Sequence, residues 1–261
     1  MGGTRSIALL LGISLALLAC GSGDGASGGG ATELTVFAAA SLSDAMTRIG
    51  SDFEAAHPGT NVTFNFGASN DLASAIESEG TADVFASASD TYMDDVSDRV
   101  GVERRVDFAQ NQLVVITPPD NPAGITSLDD LAAPGVQVVL AAEGVPVGDY
   151  ARQSLENAGI EDAVLSNVVS DEEDDSSVVA KIIAGEADAA IVYTSDVTSG
   201  VAPQVGSVAI PDDVNVVATY PIAVMSTTLH ADLARAFVEY VSGSEGEATL
   251  ADLGFLPAPA S

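Results

Sequence analysis

Tryptophan is absent, histidine occurs twice and cysteine once, and Lys and Arg together number 8 against 38 Asp and Glu, a formal net charge of −30 over 261 residues. A single cysteine excludes an intrachain disulfide framework and any multi-cysteine metal site. So few basic side chains exclude nucleic acid as a partner, because it is held through clustered Lys and Arg. A small anion is not excluded, since surface carboxylates more than about 8–10 Å from a cleft are largely screened and neutral N–H and O–H dipoles can hold it. Neither His57, in a His-Pro-Gly turn, nor His230 belongs to a nucleophile or metal motif, and a Gly-x-Ser-x-Gly elbow, a Walker loop and His-Glu-x-x-His are all missing. The hydrophobic fraction is 47%, enough to build the core of one large domain or two modest ones.

The N-terminus carries Arg5, an apolar run over residues 7–18 and then Ala19-Cys20. The run is short for a membrane span and has the shape of a secretory signal. Leu17-Leu18-Ala19-Cys20 resembles a bacterial lipobox, so residues 1–19 are expected to be removed and Cys20 to take a lipid that anchors the chain to the cell membrane, outside the cytoplasm. Residues 20–31 then read as a Gly/Ser-rich tether.

From Glu33 onward short β-rich runs alternate with helical stretches, which predicts an α/β fold with largely parallel sheets. Strands are expected over 34–38, 62–66, 83–86, 113–117, 136–140, 189–193, 214–218 and 222–225. Helices are expected over 41–56, around Leu72-Ala73-Ser74-Ala75-Ile76, and over 149–158, 177–184 and 231–241. Ser41 followed by Asp44 reads as a helix start. The chain can cross between two lobes near Asn111-Gln112 and again near Ala218-Thr219-Tyr220-Pro221, giving one lobe of 32–112 with 218–261 and another of 113–217. One continuous doubly wound sheet fits the same periodicity.

Three helix starts follow a strand through small residues: Ala38-Ala39-Ala40-Ser41, Gly67-Ala68-Ser69 and Gly144-Val145-Pro146-Val147-Gly148. Such starts present unpaired backbone N–H groups to an anion, although a serine there is commonly no more than a cap. The acidic run over 170–177 lacks the spacing of a calcium loop and reads as a solvated loop in which Asp175-Ser176 caps the next helix. Tyr193 ends an apolar strand, where open α/β sheets bind ligands.

Val36-Phe37-Ala38-Ala39-Ala40-Ser41-Leu42, the turn over 66–72, Ala82-Asp83-Val84-Phe85-Ala86-Ser87-Ala88, Val145-Pro146-Val147-Gly148-Asp149-Tyr150-Ala151 and Ile191-Val192-Tyr193-Thr194-Ser195-Asp196 together resemble the periplasmic molybdate-binding proteins of molybdate ABC importers. The resemblance implies a two-lobed periplasmic-binding-protein fold of the type with two chain crossovers and a ligand cleft between the lobes. It implies a monomer with no enzymatic activity and no cofactor, whose ligand is molybdate or tungstate and whose partner is the membrane permease of an ABC importer. By matched positions, the ligand-binding residues are Ser41 and Ser69 through hydroxyl and backbone, Val147 and Asp175 through backbone N–H, and Tyr193 through its phenol. Val147 and Asp175 depart from the commoner pattern of a small and an apolar residue. Either Asp175 points its carboxyl outward while its N–H faces the ligand, or Ser176 is the donor. A binding protein of the same fold for sulfate, phosphate or a small organic acid is the alternative, and a surface-anchored hydrolase or adhesive lipoprotein a more distant one.

Overall fold

The run Leu34-Thr35-Val36-Phe37-Ala38-Ala39 is apolar at consecutive positions, the pattern of a strand covered on both faces, and it forms an inner strand of a sheet in the computed structural model, which describes residues 31–260. Residues 1–19, Cys20 and the tether up to residue 30 lie outside the described residues. In chain order the first elements are β1 (Thr32–Ala39), α1 (Ser43–Ala56), β2 (Thr60–Gly67), α2 (Ser69–Glu79), β3 (Val84–Ala86), α3 (Asp90–Arg99) and β4 (Val102–Thr117). There follow β5 (Val138–Ala141), α4 (Pro146–Asn157), α5 (Glu161–Leu165), β6 (Val168–Glu172), α6 (Asp175–Ile183), β7 (Ala189–Tyr193), β8 (Gly206–Ala209), β9 (Val217–Met225), α7 (Ala231–Val241) and α8 (Ser244–Asp252).

Strand pairing defines two sheets. In the first, β1 lies parallel to β2 and β3, and β9 runs antiparallel to β3 and β4. In the second, β5 lies parallel to β6 and β7, while β4 runs antiparallel to β7 and β8. The sheets are therefore mixed rather than largely parallel. β4 belongs to both: it pairs with β9 from Val102 to Gln112 and with β7 from Leu113 onward.

That long β4 differs from the expected short strand at 113–117, because its first half is charged and exposed and only its second half carries the apolar run. The two strands expected at 214–218 and 222–225 are one, β9, which passes straight through Pro221. A proline cannot donate to a ladder, and β4 shifts register between Asp107 and Ala109, immediately opposite Pro221, so no donor is needed there. α3 was not expected: Met93 and Val96 are its only buried residues, and Ser89 caps it by accepting the Thr91 N–H at 3.2 Å. Part of the acidic run is not a loop either, since β6 continues to Glu172.

The start of α4 shows why a glycine follows Val-Pro-Val. A Cβ on Gly148 would stand 2.4 Å from the carbonyl oxygens of Ala141 and Ala142. The helix start therefore sits hard against the end of β5, with Pro146 at its first position. Among the described residues no helix is long and apolar enough to cross a membrane.

Candidate functional site

The C-terminal ends of β1, β2, β3, β5, β6 and β7 converge on one small cavity. Ser41 reaches it from the 3-10 turn after β1, Ser69 from the first position of α2, Val147 from the start of α4, Asp175 from the start of α6 and Tyr193 from the end of β7. All five residues expected at the ligand thus line the same space, at the strand ends where open α/β sheets hold ligands. Val147 and Asp175 occupy the second and first positions of their helices, where backbone N–H groups have no partner within the helix. No Lys or Arg lines the cavity.

Neither serine is a helix cap. Ser41 precedes α1 in a 3-10 turn and makes no capping bond; its Oγ lies 3.0 Å from Tyr220 Oη. Ser69 Oγ accepts the Ala88 N–H at 3.0 Å. Since a backbone N–H can only donate, the Ser69 hydroxyl keeps its own proton for the cavity. Tyr193 is 1% exposed and its hydroxyl has no partner among the described residues. Burial pushes its pKa well above the usual tyrosine value, with Tyr220, Tyr150, Asp175 and Asp196 adding to the shift, so it remains a neutral donor.

Asp174 rather than Asp175-Ser176 caps α6, accepting the Ser177 N–H at 2.7 Å. Asp175 does not point outward. It is 4% exposed, its Oδ1 accepts the Ser176 N–H at 3.0 Å, and its carboxyl neighbours that of Asp196. Burial, and then the neighbouring Asp174, push its pKa up to about 6. Burial and the Asp175 charge also push Asp196 well above the carboxylate range, so ionising both acids at once is opposed. Ser176, the alternative donor, does not line this cavity but an adjoining hollow that shares Ala40 and Ser41 with it. One contact joins the halves of the molecule beside the cavity: Tyr92 on α3 donates to the Gly144 carbonyl.

Tyr220, Asn111 and Asp196 were not among the expected site residues. In the sequence Asn111 and Tyr220 mark only points where the chain can cross between lobes, and Asp196 only the end of a matched motif. Chemically, the cavity offers three hydroxyls and several helix-start N–H groups in a space without cations. Such a set suits a small oxyanion carrying several acceptor oxygens.

The sequence model of the bacterial extracellular solute-binding proteins matches residues 34–256. The chain is 41% identical to the molybdate-binding protein ModA of Mycobacterium tuberculosis over 246 residues, covering 92% of each chain. The substrate-binding domain of a putative molybdenum ABC transporter from Clostridium difficile superposes with a TM-score of 0.68 at 28% identity, over 88% of this chain and all of that one. The periplasmic molybdate-binding protein of Azotobacter vinelandii superposes with a TM-score of 0.77 at 17% identity, over 87% of this chain and all of that one, a likeness of fold.

Proposed function

The chain belongs to the bacterial extracellular solute-binding proteins, in the group of the molybdate-binding proteins, and we propose that it captures molybdate in the cavity between its two sheets and delivers it to an ABC importer. The observation that carries this reading is the buried Tyr193 hydroxyl, which has no partner among the described residues and lies on the same cavity as Ser41 and Ser69. An oxyanion gives that hydroxyl, both serines and the N–H groups of Val147 and Asp175 acceptors at once. Each hydrogen bond to a charged acceptor contributes about 1.5–3 kcal/mol, part of it offset by dehydrating the anion. A net of about −8 to −11 kcal/mol corresponds to micromolar to nanomolar dissociation constants.

Selectivity rests on cavity size and donor placement. Tungstate, nearly the size of molybdate, binds alike, while the smaller sulfate leaves some donors too distant. The lobes are 32–112 with 218–261 and 113–217, a division supported by the change of partner along β4 between Gln112 and Leu113. The protein works outside the cytoplasm as a monomer held by a lipid on Cys20, and its partner is the importer's permease.

The test is a melting series on Ala31–Ser261, the compact unit of the chain. Molybdate and tungstate are expected to raise the melting temperature strongly, and sulfate and phosphate little. Equal shifts with all four, or none, reject the reading.

A further inference from the structure

Asn111 is fully buried in β4 at the point where that strand changes partners. Its Oδ1 accepts the Gln112 N–H at 3.0 Å and the Thr194 hydroxyl at 2.9 Å. A backbone N–H only donates, so this contact orients the amide and turns its nitrogen the other way. That nitrogen, which also can only donate, faces Ser195 Oγ at 2.8 Å and Tyr220 Oη at 3.4 Å. Tyr220 Oη therefore accepts from Asn111, and its single proton has Ser41 Oγ, 3.0 Å away, as its partner. Once Ser41 Oγ accepts that proton, its own proton is free, and Ser41 lies on the cavity wall.

We propose that Tyr220, oriented by Asn111, is a positioning residue that fixes the Ser41 hydroxyl as a donor to the bound oxyanion. Without this relay Ser41 can equally give its proton to Tyr220 and turn a lone pair toward the anion, which repels it. The direction of the relay is set by two groups that cannot reverse, the Gln112 N–H and the Asn111 Nδ2. Ser69 reaches the same polarity in one step through the Ala88 N–H. Tyr220 touches no ligand under this assignment; it acts through Ser41.

This inference rests on the proposed function, and a double-mutant cycle in molybdate affinity, read by titration calorimetry, separates the two. Tyr220→Phe keeps the ring in its edge-on packing against Phe108, Tyr193 and Phe255, so the fold is retained. With Ser41 present, Tyr220→Phe is expected to weaken molybdate binding about tenfold; in the Ser41→Ala background it is expected to change affinity by less than about twofold. Asn111→Asp, whose carboxylate accepts where the amide donated, is expected to reverse the relay and weaken binding as much as Ser41→Ala does. Equal losses from Tyr220→Phe in both backgrounds, no loss with Ser41 present, or undiminished binding by Asn111→Asp overturns the assignment. Absence of molybdate binding by the unaltered protein overturns the proposed function itself, and this inference with it.

Discussion

On the wall of the cleft built from the first sheet, Ser41 and Ser69 are small hydroxyls that already have partners, Tyr220 Oη and the Ala88 N–H. The opposite wall carries Tyr193, with no partner among the described residues, and Asp175 buried against Asp196. The first wall is neutral, and its protons are aimed before a ligand arrives. The second wall holds groups that cost free energy in the free protein, an unpaired buried hydroxyl at about 1–3 kcal/mol and an acid pair whose ionisation burial opposes. Binding and folding stability are therefore aligned on one wall and opposed on the other.

Breaking the first wall has the largest expected effect. Ser41→Ala with Ser69→Ala removes two hydrogen bonds to a charged acceptor, about 1.5–3 kcal/mol each, and is expected to weaken molybdate at least about 100-fold by titration calorimetry, with the circular dichroism spectrum retained. A loss below about tenfold would place the ligand elsewhere. On the second wall, Tyr193→Phe separates function from stability. It is expected to weaken molybdate about tenfold while raising the melting temperature of the free protein, because the substitution removes an unsatisfied buried hydroxyl.

Asp175→Asn gives the smallest change at neutral pH and the most specific signature. Burial and Asp174 hold the Asp175 pKa up at about 6, so its carboxyl gains charge as pH rises through that value and opposes a dianion. Molybdate affinity of the unaltered protein is expected to fall between about pH 6 and 8, and Asp175→Asn to flatten the profile and bind several-fold tighter at its alkaline end. For stability the sign is the same. A carboxyl whose pKa is raised on folding keeps its proton in the native state longer than in the unfolded chain, so the free protein loses stability as pH rises from the ordinary carboxylate range through about 6. Denaturant titrations at several pH values check this, and an unchanged slope in Asp175→Asn would refute it.

The positions of the cleft were legible in the sequence because strand, small-residue turn and helix start follow one another locally at Ala40-Ser41, Ala68-Ser69 and Pro146-Val147. The partners that aim those groups were not. Ser41 and Tyr220 are 179 residues apart in the chain, and Asn111 and Ser195 are 84 apart, so only the pairing of β3 with both β1 and β9, and of β4 with β7, brings them together. The fold shows the same division. β7 is apolar throughout and β1 is apolar from Val36 onward, and both were visible as strands, whereas the first half of β4 is held by β9 despite exposed Glu103, Arg104 and Arg105. Arg104 pairs with Glu239 on α7 at 2.5 Å, and Arg105 with Asp90 and Asp94 on α3, which makes a charged strand and a weakly apolar helix compatible with burial of their other faces. Asp175 is the instructive single residue: its place at a helix start was readable, but its nearness to Asp196 depends on where the turn after β7 lands.

A crystal structure of the protein grown with molybdate, with anomalous data at the molybdenum edge, tests the central claim most directly. The expected result is one molybdenum peak in the cavity, with oxyanion oxygens about 2.6–3.1 Å from Ser41 Oγ, Ser69 Oγ and Tyr193 Oη. A peak outside the cavity, or these three hydroxyls all farther than about 3.5 Å from the anion, would contradict it.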